Sequence, residues 1–250
     1  MTRAQLIAAN SLSLAALPAD GDTPIVVVLP AFNEAENLPF VLRRAPQAVG
    51  GVAVRCLVAD DGSTDGTAEV ALACGALVVR ASENGGGGRA LRLGYLGAER
   101  LGARIVVTMD ADGQHDFANL DALVGPVLDG RADFVIGSRR LGNQVGGDTA
   151  RSLGVSVFNG VLTAVTRQRI TDCASGFRAF RSEPLARLNL VQDRHHTAET
   201  IIEAKRKGLR IAEVPITIHP RHAGASKKGT TWKYALRFAR TVVVTTIRRG

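Results

Sequence analysis

Two aspartates two positions apart, Asp110 and Asp112, follow the apolar run 105–109 in the segment Asp110-Ala-Asp-Gly-Gln-His115. Beyond a strand, an extended backbone sends side chains at this spacing to one side. Carboxylates on one side repel unless a cation joins them. Paired hard oxygens of this kind suit Mg²⁺ or Mn²⁺, with phosphate oxygens and water completing the shell. Gln114 continues the same parity, so Asp110, Asp112 and Gln114 form the expected metal set. A solvated turn rich in Asp and Gly is the plain alternative, and the buried strand before the pair weighs against it.

A second acidic cluster, Asp60-Asp61-Gly-Ser-Thr-Asp65, follows the run 52–59. Ser63, Thr64 or Asp65 suits the cap of a following helix. The doubled aspartate exceeds what a cap needs, and one carboxylate fits a nucleobase edge or a ribose hydroxyl; spacing alone leaves the two readings level. The four glycines at 85–88 lack the Gly-Lys-Ser/Thr ending of a phosphate loop and read as flexibility. Neither His195-His196 nor the pair His219 and His222 has zinc spacing. There is no Gly-x-Ser-x-Gly elbow, and nothing flanking Cys173 marks a nucleophile, which disfavours Ser-type or Cys-type covalent catalysis.

Short β-branched runs alternate with longer helical segments after Pro24. The pattern predicts strands over 25–29, 52–59, 76–79, 105–109 and 133–137, and helices over 34–48, 67–74, 86–101 and 117–128. Continuous apolar strands between helices imply an α/β fold with a mostly parallel sheet covered on both faces. Ligands of such sheets collect beyond the strands' carboxyl ends. Asn33-Glu34, Asp60-Asp61 and the Asp110/Asp112 pair are therefore expected to face one crevice. Past Gly142 the alternation fades into a loop over 141–149, helices over 151–165 and 197–207, a strand over 209–218 and a last helix over 232–247.

Composition is that of an ordinary globular protein: 250 residues, 46% apolar and 22% charged, which excludes general disorder. The expected organisation is a helix and linker over 1–23, a main domain over 24–231 and a basic amphipathic helix over 232–250. Asn10, Ser11 and Ser13 interrupt the N-terminal apolar stretch, a poor signal-peptide core. Three cysteines make neither a disulfide framework nor a zinc ribbon, and point to a reducing cytoplasm. No apolar run approaches the roughly 20 residues that span a bilayer. Twelve of the 31 Lys and Arg residues fall within 204–250, with Glu213 the only acidic residue there. Such a block suits phosphates of a lipid headgroup, a small substrate or nucleic acid, and equally a solvated basic face.

Taken in order, the clusters resemble glycosyltransferase family 2, the nucleotide-sugar transferases of the GT-A fold. The resemblance rests on Leu29-Pro-Ala-Phe-Asn-Glu34, Asp60-Asp-Gly-Ser63 and Asp110-Ala-Asp-Gly-Gln-His115. Further along, Gly137-Ser-Arg139, Asp172-Cys-Ala-Ser-Gly-Phe-Arg178, Glu213-Val-Pro-Ile216 and Arg221-His-Ala-Gly-Ala-Ser-Lys227 are similar to the branch that uses dolichol or polyprenyl phosphate. It covers about residues 24–245. Glycines stand at 85 and 87 where the family commonly has a basic residue, and Val155 stands where the branch often has serine.

The resemblance implies that Pro30, Phe32, Glu34, Ala59 and Asp61 line the nucleoside pocket, while Asp110, Ala111, Asp112 and Gln114 hold the metal and diphosphate. It assigns Arg139 and Arg151 to the acceptor phosphate or the leaving diphosphate, with Ser175 and Arg178 beside the acceptor. Arg221 and Lys227 close over the diphosphate. It also implies inversion in a single displacement. An anionic phosphate acceptor needs no strong general base, whereas a hydroxyl acceptor does, and Asp172 is the nearest candidate for that task.

The expected function is metal-dependent sugar transfer from a GDP- or UDP-sugar to polyprenyl phosphate, by a cytoplasmic enzyme held peripherally at the inner, anionic membrane face. Transfer to a soluble hydroxyl or glycan acceptor is the alternative within the enzyme class. A nucleic-acid-binding protein is the alternative outside it, disfavoured because carboxylates at the strand ends repel a phosphate backbone. Oligomeric state is left open, a homo-oligomer among the options.

Overall fold

The computed structural model describes residues 1–19, 24–142, 149–193, 196–223 and 232–248, with backbone alone over 149–155 and 232–237. Two short helices, α1 (Arg3–Ala9) and α2 (Ser11–Ala15), lead into β1 (Ile25–Ala31) and α3 (Leu38–Leu42). Next come β2 (Ala48–Val49), β3 (Val52–Asp60), α4 (Thr67–Ala73), β4 (Leu77–Arg80), α5 (Gly87–Arg100) and β5 (Ile105–Thr108). A 3₁₀ turn at Phe117–Asn119 leads to α6 (Leu120–Leu128), β6 (Phe134–Ser138), α7 (Thr149–Thr166), β7 (Arg178–Arg181) and α8 (Ser182–Ala186). The chain then forms α9 (His196–Arg206), β8 (Ile211–Pro215) and α10 (Trp232–Ile247).

The strands make one sheet in the order β2-β3-β1-β5-β7-β6-β8, with β4 also beside β3. Strand β1 lies parallel to β3 and β5, as β-branched runs joined through helices require. Its side chains alternate between two covered faces. Val26 and Val28 pack with Leu57, Leu93, Leu96 and Ile201 on one side. Ile25, Val27 and Leu29 pack with Leu38, Val107, Leu120 and Leu123 on the other.

Three local expectations change. No strand is expected after Gly142 before 209, yet β7 pairs antiparallel with both β5 and β6 in the middle of the sheet. Its ends are arginines, so no apolar run marks it, although Arg178, Ala179 and Phe180 are all buried. The helix expected over 34–48 shrinks to α3 (Leu38–Leu42), and Pro46 disfavours helical geometry at Ala45 beyond its end. Gly50 and Gly51, at φ +55° and +77°, then make the two-residue turn that pairs β2 with β3. The strand expected over 209–218 is β8 alone, with an isolated bridge from Ile218 to His115.

The N-terminal helices are seated on the domain. Leu6, Leu14 and Leu17 are buried in the cluster that covers α5 and β4, and Ser13 Oγ accepts from the Arg80 amide at 2.7 Å. At the other end, α10 buries Phe238, Thr241, Val242 and Thr245. It is held to α9, where Arg248 reaches the fully buried Glu199 at 3.1 Å and Glu203 at 3.5 Å.

Candidate active site

Strands β3, β1 and β5 are neighbours, so the residues following their carboxyl ends meet. The loops after β1 and β3 are knitted together: Asn33 donates its amide to Ser63 Oγ at 2.9 Å, Glu34 to Thr67 Oγ1 at 2.9 Å, and Ala35 to Asp65 Oδ2 at 3.1 Å. Asp65 also accepts from the Thr67 amide and so serves the first turn of α4. Of the doubled aspartates, Asp60 is structural. It accepts from the Ser63 amide at 2.9 Å and pairs with Arg80 at 3.1 Å. Asp61 turns onto the glycine loop, accepting from the amides of Gly85 (3.0 Å) and Gly86 (2.6 Å), with Arg89 at 3.5 Å. Burial pushes its carboxyl above the ordinary aspartate value, against the pull of those amides and of Arg89.

After β5, the Asp110 side chain is 31% exposed and that of Asp112 only 6%. Residues 219–222 run antiparallel to 112–115, His219 donating its amide to the Gln114 carbonyl at 2.8 Å and His222 to that of Asp112 at 3.2 Å. This pairing puts Arg221 on Asp112 Oδ2 at 2.7 Å, with Glu34 Oε1 4.0 Å away. The His222 ring stacks on Phe40 at 3.8 Å. Gly113, at φ +76°, leaves them room; a Cβ there would stand 3.1 Å from His222 Cβ. Gln114 turns its amide nitrogen toward the His219 carbonyl at 3.4 Å.

The crevice is bounded beyond Asp110 by the turn Asp172-Cys-Ala-Ser-Gly176. Asp172, 1% exposed, takes Arg139 in a fork: Nε at 2.6 Å, Nη2 at 2.7 Å, and the Arg139 amide at 3.1 Å. Burial alone would lower the Arg139 pKa, but Asp172 and, beyond it, Asp110 raise it. Gly176 backs onto Asp110, and any Cβ there would stand 2.7 Å from Oδ1.

The donor chemistry fits a hard divalent cation bound jointly by protein and substrate. Among the described residues no group of three His, Cys, Asp or Glu side chains is gathered to hold a metal ion; a cation taken by Asp110 and Asp112 would need further oxygens, which phosphate and water can supply. Arg221 already brings positive charge to Asp112.

Residues 26–188 match the family model described as Glycosyl transferase family 2. The chain belongs to glycosyltransferase family 2. Undecaprenyl-phosphate mannosyltransferase of Micrococcus luteus is 34% identical to it over 218 residues, covering 81% of this chain and 86% of its own. Polyprenol monophosphomannose synthase of Mycolicibacterium smegmatis is 35% identical over 218 residues, covering 81% of this chain and 80% of its own. Among solved structures, glucosyl-3-phosphoglycerate synthase from Mycobacterium tuberculosis, in complex with Mn²⁺, UDP and glucosyl-3-phosphoglycerate, aligns with a TM-score of 0.68 at 25% identity. That alignment covers 98% of this chain and 82% of the other. The α/β fold is the GT-A arrangement.

In this family 2 glycosyltransferase the expected site residues fall into three groups. Asp110, Asp112, Glu34, Arg139 and Arg221 converge on the crevice, with Pro30 near the end of β1 and Phe32 just after the strand. Ala59, Ala111, Ser175 and Arg178 support it from behind. The Ala59 methyl is buried beneath Gly94 of α5, so its side chain does not line a pocket. Ala111 is a core residue. Ser175 Oγ accepts from the Phe177 amide at 3.3 Å. Arg178 is not placed to meet an acceptor. It is 3% exposed and spends its nitrogens on the carbonyls of Ser175 (2.8 Å), Thr197 (2.9 Å) and Cys173 (2.9 Å), and burial lowers its pKa to about 10. Lys227 and the Arg151 side chain lie outside the described residues.

Two readings of polar residues are corrected. Asp172, the candidate base, is committed to Arg139. The glycines at 85–88 are not merely flexible: two amides hold Asp61, and the Gly88 amide donates to the Asp193 carbonyl at 2.9 Å. Asn159 and Phe40 carried no signal in the sequence, because each matters only through a distant neighbour.

Proposed function

We propose that this transferase moves a sugar from a nucleotide sugar to polyprenyl phosphate, with inversion at the anomeric carbon, at a membrane face. The observation that carries it is the Arg139–Asp172 fork. The carboxylate best placed to deprotonate a hydroxyl is spent holding a guanidinium, so the acceptor side offers positive charge in place of a base. An acceptor that is already anionic matches that site. The two relatives named for polyprenyl-type acceptors support the same reading.

Asp110 and Asp112, with Gln114 at their edge, would hold Mg²⁺ or Mn²⁺, which supplies positive charge where the leaving diphosphate gains negative charge. Arg221 would leave Asp112 for the diphosphate, and Lys227 would join it there. Arg139, with Arg151, orients the acceptor phosphate oxygen for in-line attack on the anomeric carbon. The loop after β1 and Asp61 take the nucleoside, Asp61 sharing the bonds it now accepts from the glycine loop.

Membrane contact falls to two helices. Val243, Val244 and Ile247 of α10 and Val157, Val161 and Val165 of α7 are exposed, and Arg240 is exposed beside the first set. Among the described residues no helix is long and apolar enough to cross a bilayer, which suits a helix lying in the headgroup plane.

A second reading, transfer to a small phosphorylated hydroxy acid, draws support from the solved glucosyl-3-phosphoglycerate synthase complexes. One experiment separates the two. Thermal shift with GDP-, UDP- and dTDP-sugars and Mn²⁺ identifies the donor, after which radiolabelled donor is offered polyprenyl phosphate or phosphoglyceric acid. Label in the lipid phase is expected. Label on phosphoglyceric acid alone overturns the lipid acceptor.

A further inference from the structure

We infer that Glu213 and Asn159 are positioning residues for Arg139, acting through the backbone of Asp172; the inference rests on the reading of Arg139 given above. Asp172 can grip Arg139 in a fork only if its own main chain is fixed, and the amides of Thr171, Asp172 and Cys173 are all held by side chains from outside the turn. Glu213 of β8 accepts from the Thr171 amide with both oxygens, at 3.0 and 2.9 Å, and from the Asp172 amide at 3.2 Å. Asn159 of α7 works from another side. Its Oδ1 accepts from the Cys173 amide at 2.9 Å, and its Nδ2 donates to the Thr171 carbonyl. Thr171 Oγ1 bonds Ser138 Oγ at 2.7 Å, next to Arg139 in the chain.

The arrangement exceeds what a turn needs. Water or a neutral side chain would satisfy these amides at a surface turn, whereas here a carboxylate takes two of them in charge-assisted bonds. The far end of the same turn presses Gly176 against Asp110, and Thr108 Oγ1 donates to the Gly176 carbonyl at 2.7 Å. One clamped segment therefore sets the position of the Arg139 guanidinium relative to the Asp110 carboxylate. Groups that meet reacting phosphates must hold within about 0.5 Å, and packing and hydrogen bonds behind them provide that.

The test uses two isosteric variants, Glu213→Gln and Asn159→Asp, together with Arg139→Gln and the pairwise doubles. Thermal melts establish folding, calorimetry gives nucleotide-sugar affinity, and steady-state turnover uses the identified donor with polyprenyl phosphate. Each isosteric variant is expected to lower kcat about tenfold or more while donor affinity stays within about twofold. In each double with Arg139→Gln, turnover is expected to be no lower than in Arg139→Gln alone, because the clamp acts only through that arginine. The ¹H–¹⁵N signal of Arg139 Nε–H, protected from exchange in the parent, is expected to lose protection. Loss of turnover in Arg139→Gln with parental kcat in both folded isosteric variants overturns the inference alone, as do doubles whose losses multiply. Parental turnover in Arg139→Gln overturns the role of Arg139 and the inference with it.

Discussion

Arg221 donates through Nη2 to Asp112 Oδ2 at 2.7 Å, while its Nη1 stands 4.0 Å from Glu34 Oε1. A cation belonging to the chain thus neutralises a carboxylate proposed to bind Mg²⁺ or Mn²⁺. Metal and arginine compete for one oxygen, and the competition has a measurable sign. Replacing Arg221 by Ala removes a charge-assisted bond of about 1.5 kcal/mol, so Mn²⁺ should bind the nucleotide-free protein about tenfold more tightly. Transfer should nevertheless fall, because the diphosphate loses a partner. Electron paramagnetic resonance of free Mn²⁺ during titration measures the first effect; unchanged affinity would show that Arg221 does not guard the site.

Gly176 predicts a separation of stability from activity. A Cβ at this position would stand 2.7 Å from Asp110 Oδ1, but the partly exposed Asp110 side chain has room to rotate away. Gly176→Ala should therefore fold with a melting temperature within a few degrees of the parent and show weakened Mn²⁺ binding. Parental Mn²⁺ affinity in the folded variant would dissociate the Asp110 rotamer from cation binding.

Acid stability should report on Asp133. Arg210 donates to it through Nε at 2.9 Å, with Arg181 at 3.5 Å, and these hold its carboxyl down at about 2. A lowered native pKa means stability that is present above the unfolded value of about 3.9 and is lost as pH falls through 2. Urea unfolding of the parent between pH 5 and 2 should thus steepen relative to Asp133→Asn, which lacks this titration. Parallel curves would show that the pairing carries no linkage. The pair ties the start of β6 to β8, so the effect belongs to the sheet and not to the site.

Arg248 should matter for folding. It serves the buried Glu199 and Glu203, and among the described residues the amides of Val191, Gln192 and Asn189, with Arg206, would remain for them. Arg248→Ala should cost roughly 3 kcal/mol, as for a buried pair losing one partner. Chemical denaturation measures it; a cost within about 0.5 kcal/mol, as for ordinary surface changes, would show that the pair is not stabilising. The same contact makes truncation within α10 a poor test of membrane binding, since it would strip a buried carboxylate of its partner.

Point changes on the exposed face of α10 avoid that difficulty. Val243→Ser with Ile247→Ser alters side chains that are 54% and 73% exposed, so the fold should persist. Binding to vesicles containing anionic lipid should drop about tenfold or more, since a fully buried Val or Ile contributes about 1.5–3 kcal/mol. Salt should weaken what remains. Equal sedimentation of parent and double variant with vesicles would remove α10 from the membrane contact.

The catalytic end of the sheet was legible because its signals are local. Asp110 and Asp112 follow an apolar run, Asp60 and Asp61 follow another, and parallel pairing of β3, β1 and β5 puts both beside Glu34. Strand β7 was not legible. Arg178 looks like an acceptor ligand in a one-dimensional reading, yet it is a brace over the Phe134 ring, and Arg181 at the other end of the strand faces Asp133.

The succession of continuous apolar runs and helix-length segments by itself determined that residues 24–137 form a layered α/β sheet, since strands covered on both faces and the connections between them are written in neighbours along the chain. The sequence also determined which carboxylates stand at strand ends. Charge was different. The excess of Lys and Arg over 204–250 reads as a free basic block, but the tertiary structure pairs Arg206 with Glu203, Arg210 with Asp133, Arg221 with Asp112 and Arg248 with Glu199. It likewise decided that Asp172 holds Arg139 and that Asp61 faces glycine amides. Whether an ionised group is a ligand or a brace depends on which opposite charge lies within about 4 Å in space, and separation along the chain does not encode that distance.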